Sequence, residues 1–258
     1  MANINTLLNL LIAGFLQGIL EWLPVSSSGQ LMVFLAKISS LNLAGAYSFA
    51  FFLHLGTVLS AIVFFSKKII NELKASFFLL KFWVCVTLVS IVVGYPIYYF
   101  YTKIIGQLSL DVVSLSIGFL LIITGIITFK VRKRNASRKN VTLMDMMVLG
   151  LAQGVSVIPG ISRSGITIAL LLWLGFKPER AVELSFLASI PVIIIAGAYA
   201  SLESQIGITG IVGLMASFIS GLISIGVMVS LAKKLPIHYF MLSIGALMVL
   251  ITGVSLIS

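Results

Sequence analysis

The chain has 258 residues, of which 60% are hydrophobic and 9% charged, with a mean hydropathy of +1.18. That composition excludes a soluble domain and a disordered one, and its repeated apolar runs match the roughly twenty residues needed to cross a hydrocarbon core. A formal charge of +10 would suggest nucleic acid in a soluble protein. Here Lys and Arg gather between apolar runs, so membrane orientation accounts for them and no nucleic-acid partner is expected.

Residues 4–20 are apolar, and no Lys or Arg precedes them, so no cleavable signal peptide is expected. Glu21, Pro24 and the serines Ser26, Ser27 and Ser28 then interrupt, and apolar sequence resumes at Leu31. Neither piece is a comfortable span. A polar break at membrane depth is tolerated only where protein or a water-filled cavity covers its backbone. Residues 4–38 therefore read as a re-entrant helix–loop–helix hairpin. Full spans are predicted at 46–65, 77–101 and 108–129, the second enclosing the single cysteine, Cys85, as an inert buried thiol. Tyr95, Tyr98, Tyr99, Phe100 and Tyr101 close that span as an interfacial belt. Residues 130–142, KVRKRNASRKNVT, form a basic connector, with anionic lipid as a natural contact. Residues 143–175 repeat the broken pattern, and three more spans follow at 180–200, 207–231 and 239–257.

The loop charges orient these elements. Lys67, Lys68 and Lys74 lie in loop 66–76, and six basic residues lie in the connector, on the side that the positive-inside rule makes cytoplasmic. Lys177, Arg180, Lys233 and Lys234 join them only if 143–175 is re-entrant; then fourteen of the seventeen Lys and Arg residues are cytoplasmic, all but Lys37, Lys103 and Arg163. The expected fold is an all-α polytopic membrane protein, one domain of 1–258. It divides into repeat 1 (1–129), the connector (130–142) and repeat 2 (143–258), each repeat being a hairpin plus three transmembrane helices. Three spans is an odd number, so the second repeat is inverted, and the two hairpin tips meet near the midplane.

The tips carry the polar residues. QGILEWLPVSSSGQ at Gln17–Gln30 returns as QGVSVIPGISRSG at Gln153–Gly165. At constant offset, residues 14–29 and 150–165 share Gly14/Gly150, Gln17/Gln153, Gly18/Gly154, Ser26/Ser162, Ser28/Ser164 and Gly29/Gly165. Ionisable residues at membrane depth are functional candidates by default. Here they are Glu21, His54 and Arg163, with Asp145 and Glu183 nearer an end. Ser162 is placed to cap a helix beginning near Arg163, whose N–H groups and dipole would attract an anion. Arg163 adds a planar fork suited to phosphate oxygens, and the Val25–Gly29 turn supplies a second helix N-terminus. A diphosphate would suit the pair. Glu21 and Arg163 also suit a purely structural ion pair between the loops, and His54 reads as a histidine hydrogen-bonded between packed helices. Glu179, Arg180 and Glu183 have helical spacing at a helix start, where dipole and pair effects suffice.

QxxxE at Gln17 and Glu21, then PVSSSG, and PGISRSGIT further on, resemble the undecaprenyl-diphosphatase family, also called the bacitracin-resistance family. LHLGT at Leu53–Thr57 and FLASIP at Phe186–Pro191 look like its secondary motifs, so the resemblance covers nearly the whole chain. It implies a cell-membrane phosphatase that takes a polyprenyl diphosphate to the monophosphate carrier lipid, with a site open to the outer face and a divalent cation, magnesium or calcium, as cofactor. Carried over by position, it puts the family's acidic pair at Gln17 and Glu21 as metal-ligand candidates, Gln17 being a neutral ligand or a hydrogen-bond donor to cation or phosphate, with Ser27 the nucleophile candidate, Arg163 the phosphate-binding arginine and Thr167 its supporting hydroxyl. Ser26, Ser28, Gln30, Ser162 and Ser164 complete the expected phosphate site. Many members have His where this chain has Gln30, and glutamine cannot shuttle a proton near neutral pH. Glu21 then becomes general base or metal ligand, and Ser27 either attacks phosphorus or positions a water. The alternative is an inverted-repeat carrier or flippase for a lipid phosphate or other anion; a structural subunit ranks last. Homo-oligomerisation is open.

Overall fold

The structure, a computed structural model, describes residues 4–39, 41–130, 138–203, 209–231 and 238–257. The described residues form eleven helices. In the first half these are α1 (Ile4–Leu20), α2 (Ser27–Ile38), α3 (Leu43–Phe64), α4 (Ser66–Ala75), α5 (Phe78–Ile105) and α6 (Leu110–Lys130). The second half contains α7 (Leu143–Val155), α8 (Arg163–Trp173), α9 (Pro178–Glu203), α10 (Gly210–Leu231) and α11 (His238–Ser255). Six stretches are long and apolar enough to cross a membrane: Leu43–Ala75, Phe78–Ile105, Leu110–Lys130, Pro178–Leu202, Gly210–Val227 and His238–Ser255. The protein is a polytopic membrane protein. Helices α1, α2, α7 and α8 have 17, 12, 13 and 11 residues, and each consecutive pair flanks one of the two polar breaks.

The boundaries follow from local chemistry. After α1 the chain makes a tight turn, with Leu23 N donating to Leu20 O at 3.1 Å, and Pro24 cannot continue a helix. Ser26 then takes a left-handed conformation at φ 57° and ψ 69°, a sterically costly one for a side-chain-bearing residue, and α2 begins at Ser27. Helix α7 opens on a capping box between Thr142 and Asp145, and Arg138 adds a 2.8 Å ion pair to Asp145. Gly160, at φ 100°, turns the chain between α7 and α8. Ser162 caps α8, its hydroxyl accepting from Gly165 N at 3.2 Å, as the sequence suggests.

Two expectations need correction. Residues 66–76, read as a loop, contain α4, an exposed helix whose charges face neighbours rather than water alone. Lys68 reaches Glu183 at 2.6 Å and Glu72 at 3.9 Å, while Arg180 pairs with Glu183 and lies 3.7 Å from Glu72, so the expected pair on α9 is one part of a cluster joining α4 to α9. The tyrosine belt is also only partly a belt. Tyr95, Tyr99 and Phe100 are exposed, but Tyr98 is buried and bonds Ser48 at 3.0 Å. Of the basic positions, 131–137 and Lys233 and Lys234 lie outside the described residues.

Small residues let the backbones close on one another, the usual substitute for a hydrophobic driving force between helices in lipid. α1 lies on α10 through Gly14 and Gly18; a Cβ on Gly14 would stand 2.0 Å from Gly213 O, and one on Gly18 would stand 2.5 Å from Gly221 N. α7 lies on α5 through Gly150 and Gly154, where a Cβ would meet Val89 Cβ at 2.7 Å and Val93 Cβ at 2.8 Å. α6 crosses α11 at Gly118 and Gly245, and α3 packs on α9 and α10. Trp22 wedges the first break into this frame, its ring tilted against Phe186 at 5.0 Å and its indole N–H donating to Gly221 O at 3.0 Å. The two breaks are thereby brought side by side.

Candidate active site

The breaks are joined directly. Gly160 N donates to Ser26 Oγ at 2.8 Å, and Ser164 Oγ donates to Leu23 O at 3.3 Å. The left-handed turn at Ser26 aims its hydroxyl across the gap and leaves the first turn of α2 without a side-chain cap. Ser27, the first residue of α2, stands at the mouth of that turn.

Glu21 is the centre of the cluster, 4% exposed and fully occupied. Its Oε2 accepts from Ser27 Oγ at 2.7 Å and from Gln17 Nε2 at 2.9 Å, and lies 3.0 Å from His54 Nε2. Its Oε1 pairs with Arg163 Nη2. Gln17 reaches Glu21 because positions i and i+4 share a helix face. His54 enters from α3, one turn beyond Ala50, whose carbonyl lies 2.6 Å from His54 Nδ1; His54 Nε2 is 3.5 Å from Ser27 Oγ. Phe51 stacks on the imidazole at 5.5 Å and fixes its plane. Arg163 is positioned by the start of α8, and Thr167 Oγ1 donates to Arg163 O at 2.6 Å, so this hydroxyl supports the main chain of Arg163 rather than its guanidinium. Among the described residues, Arg163 Nη1 is buried with no hydrogen-bond partner.

A cavity of about 210 Å³ opens beside the cluster. One end is polar, walled by Glu21, Ser26, Ser27, Ser28, His54 and Arg163, with Ser162 and Ser164 behind them. The other end is apolar and runs between α5 and α9, past Gly94, Tyr95, Ile195 and Tyr199. Tyr95 and Ile195 are about half exposed on the outer surface, so that end reaches the lipid-facing side of the fold.

The structure thus brings together Gln17, Glu21, Ser26, Ser27, Ser28, Ser162, Arg163 and Ser164 from two stretches more than a hundred residues apart. It turns two expected phosphate ligands elsewhere. Gln30 Nε2 donates to Val25 O at 3.4 Å and faces Met248 Sδ at 3.0 Å, because residue 30 sits one position past the turn of α2 that faces the cavity. Thr167 shares its hydroxyl with Ser185 at 2.7 Å and does not line the cavity. It adds His54, which the sequence counts among the ionisable candidates at membrane depth but reads first as a packing residue. The available signal was that His54 is the histidine at the middle of a span.

The donor set does not fit a protein-held divalent cation. Among the described residues no three His, Cys, Asp or Glu side chains converge on one point. The one carboxylate present already carries four polar partners on its two oxygens. Gln17 turns its amide nitrogen toward that carboxylate, as an acceptor-only group requires, and leaves its own Oε1 buried without a partner.

Fold and site together define a polytopic membrane protein with a buried hydroxyl–carboxylate–histidine–guanidinium centre facing a half-apolar cavity. The chain belongs to the family of the bacitracin resistance protein BacA, whose sequence model matches residues 10–250. A relative from Methanothrix thermoacetophila is 34% identical over 257 residues, covering 95% of this chain and 97% of the relative. One from Methanococcoides burtonii is 34% identical over 255 residues, covering 93% and 96%. One from Saccharolobus islandicus is 39% identical over 195 residues, covering 70% and 68%. All three bear the name undecaprenyl-diphosphatase.

Proposed function

We propose that this chain is a hydrolase of the cell membrane that converts a polyprenyl diphosphate of the undecaprenyl type to the monophosphate carrier lipid and inorganic phosphate. The observation that carries the reading is Ser27 Oγ donating to the buried Glu21 at 2.7 Å, beside a guanidinium with one nitrogen unpartnered, at the polar end of a cavity whose other end is hydrocarbon. The diphosphate occupies the polar end, and the prenyl chain leaves between α5 and α9 toward lipid.

In this reading Ser27 Oγ attacks the terminal phosphorus in line with the bridging oxygen. The Ser27 O–P bond forms, the bridging P–O bond breaks, and the hydroxyl proton passes to Glu21 Oε2. Arg163 Nη1 and the uncapped N–H groups of α2 hold the equatorial oxygens as charge spreads onto them. A phosphate that draws Arg163 to itself leaves Glu21 Oε1 free, so the carboxylate is released as substrate arrives. Glu21 then returns the proton to the departing lipid monophosphate. Water attacks the phosphoserine phosphorus and gives a proton to Glu21, the Ser27 O–P bond breaks, Glu21 returns that proton to Ser27 Oγ, and inorganic phosphate leaves.

The same reading takes the halves as inverted repeats with re-entrant hairpins whose tips meet at the midplane, open to the outer face. Supporting it, the shared glycines do one job twice: Gly14 and Gly18 seat α1 on α10, while Gly150 and Gly154 seat α7 on α5. α3 with α9, and α6 with α11, are the matching self-paired contacts. Such pairing also suits a carrier, and one experiment separates the two. Purified protein in detergent, given a polyprenyl diphosphate and magnesium, is expected to release inorganic phosphate, and Ser27→Ala to lower kcat on the order of 10³-fold or more. Substrate binding without release overturns the enzyme in favour of the carrier. Near-native turnover by Ser27→Ala replaces serine attack with direct attack by water.

A further inference from the structure

We infer that this chain keeps no divalent cation of its own: Arg163 and His54 occupy the two oxygens of Glu21 where a metal would bind, and the cation enters as part of the diphosphate. The inference rests on the phosphatase reading for the identity of the diphosphate, but its protein half stands on side-chain chemistry alone.

Calcium takes six to eight oxygen ligands, and magnesium keeps several waters and is usually held by one or two carboxylates together with substrate phosphates rather than by an all-protein cage. The i, i+4 position that would give a second carboxylate is Gln17, and its side chain faces Glu21 with a donor. His54 cannot substitute. A metal-binding imidazole must present a lone pair, yet Nδ1 lies 2.6 Å from the Ala50 carbonyl and Nε2 lies 3.0 Å from a carboxylate oxygen. Both nitrogens already have an oxygen neighbour within the protein, so neither offers a free lone pair to a metal. His54 thus stands beside Arg163 as a second partner of Glu21.

The one carboxylate is matched by the Arg163 guanidinium, so the cluster holds no unbalanced negative charge to attract a free divalent cation. A prenyl diphosphate carries about three negative charges when fully ionised and supplies that charge itself, so its cation comes with it. Arg163 Nη1, buried and unpartnered, is the donor left for a phosphate oxygen.

The test is a manganese titration of the full-length protein in detergent, read by electron paramagnetic resonance. Wild-type protein alone is expected to leave the signal of free manganese unchanged. Adding a non-hydrolysable prenyl methylenediphosphonate is expected to immobilise one manganese per protein. The double variant Gln17→Glu/His54→Gln, with a second acid and a neutral amide in place of the imidazole, is expected to bind manganese without the diphosphonate at least tenfold more tightly than wild type. One manganese bound by wild-type protein alone and lost in Glu21→Gln overturns the inference. So does a diphosphonate that binds, by competition, without bringing manganese. The titration of protein alone reads the inference whether or not phosphate is released, so the two proposals fail separately.

Discussion

The Glu21–Arg163 pair should be as important to folding as to chemistry. Its side chains are 3% and 14% exposed, and it ties the two breaks together. Breaking a buried pair by removing one partner costs about 3–5 kcal/mol, because the remaining charge is left uncompensated. The two single variants should differ within that range. Arg163→Met leaves Glu21 with His54 still 3.0 Å away, whereas Glu21→Gln removes the negative charge that compensates the buried Arg163. Glu21→Gln is therefore the more damaging substitution, although it changes almost no volume. In the double variant the glutamine carbonyl still accepts from Ser27 and His54 and no guanidinium remains, so the expected coupling is about 2–3 kcal/mol, near the top of the usual range for contacting residues. The assay is a double-mutant cycle by reversible unfolding in mixed micelles. A coupling energy below about 0.5 kcal/mol, or Arg163→Met less stable than Glu21→Gln, would refute this account of the cluster.

Gly18→Ala should destabilise the protein by about 1–3 kcal/mol, since its Cβ would stand 2.5 Å from the backbone nitrogen of Gly221 and force α1 off α10. Gly253→Ala, with nothing within 4 Å of the new methyl, should be neutral or stabilising by up to about 1 kcal/mol. Equal melting shifts for the two would remove the close-packing argument. The inverted topology predicts that cysteines placed at the exposed Ser76 and Ser109 react with membrane-impermeant reagents from opposite sides of the bilayer, Ser76 inside. Labelling from one side would sink it.

The helix inventory was legible in the sequence because long apolar runs and a polar break are additive properties of local stretches. The expected spans fall within about four residues of the observed helices, the largest gap being at α5, which runs to Ile105. The cap at Ser162 and the pairing of two distant serine-glycine loops were also legible, since capping follows from residue type and the loops repeat one another. α4 was not, because its partners Glu183 and Arg180 sit on another helix.

Sequence by itself determined the class of protein, the two breaks, and the residues Glu21, Ser27 and Arg163 as the ones to watch. The class, the breaks, Glu21 and Arg163 follow from the energetic penalty of polar groups in hydrocarbon, which needs no knowledge of neighbours, while Ser27 was set apart from the serines beside it by the family resemblance. Tertiary structure alone decided what each group does with its neighbours. A glutamine side chain at residue 30 gives no hint that it will turn to Met248, nor does a histidine in the middle of α3 show that it will complete the cluster on Glu21. Hydrogen bonds are directional over about 3 Å, so a rotation of one helix position separates a ligand from a spectator. For α3 that rotation is fixed where Gly56 lets its backbone close on α10, a Cβ there standing 2.4 Å from Leu214 O.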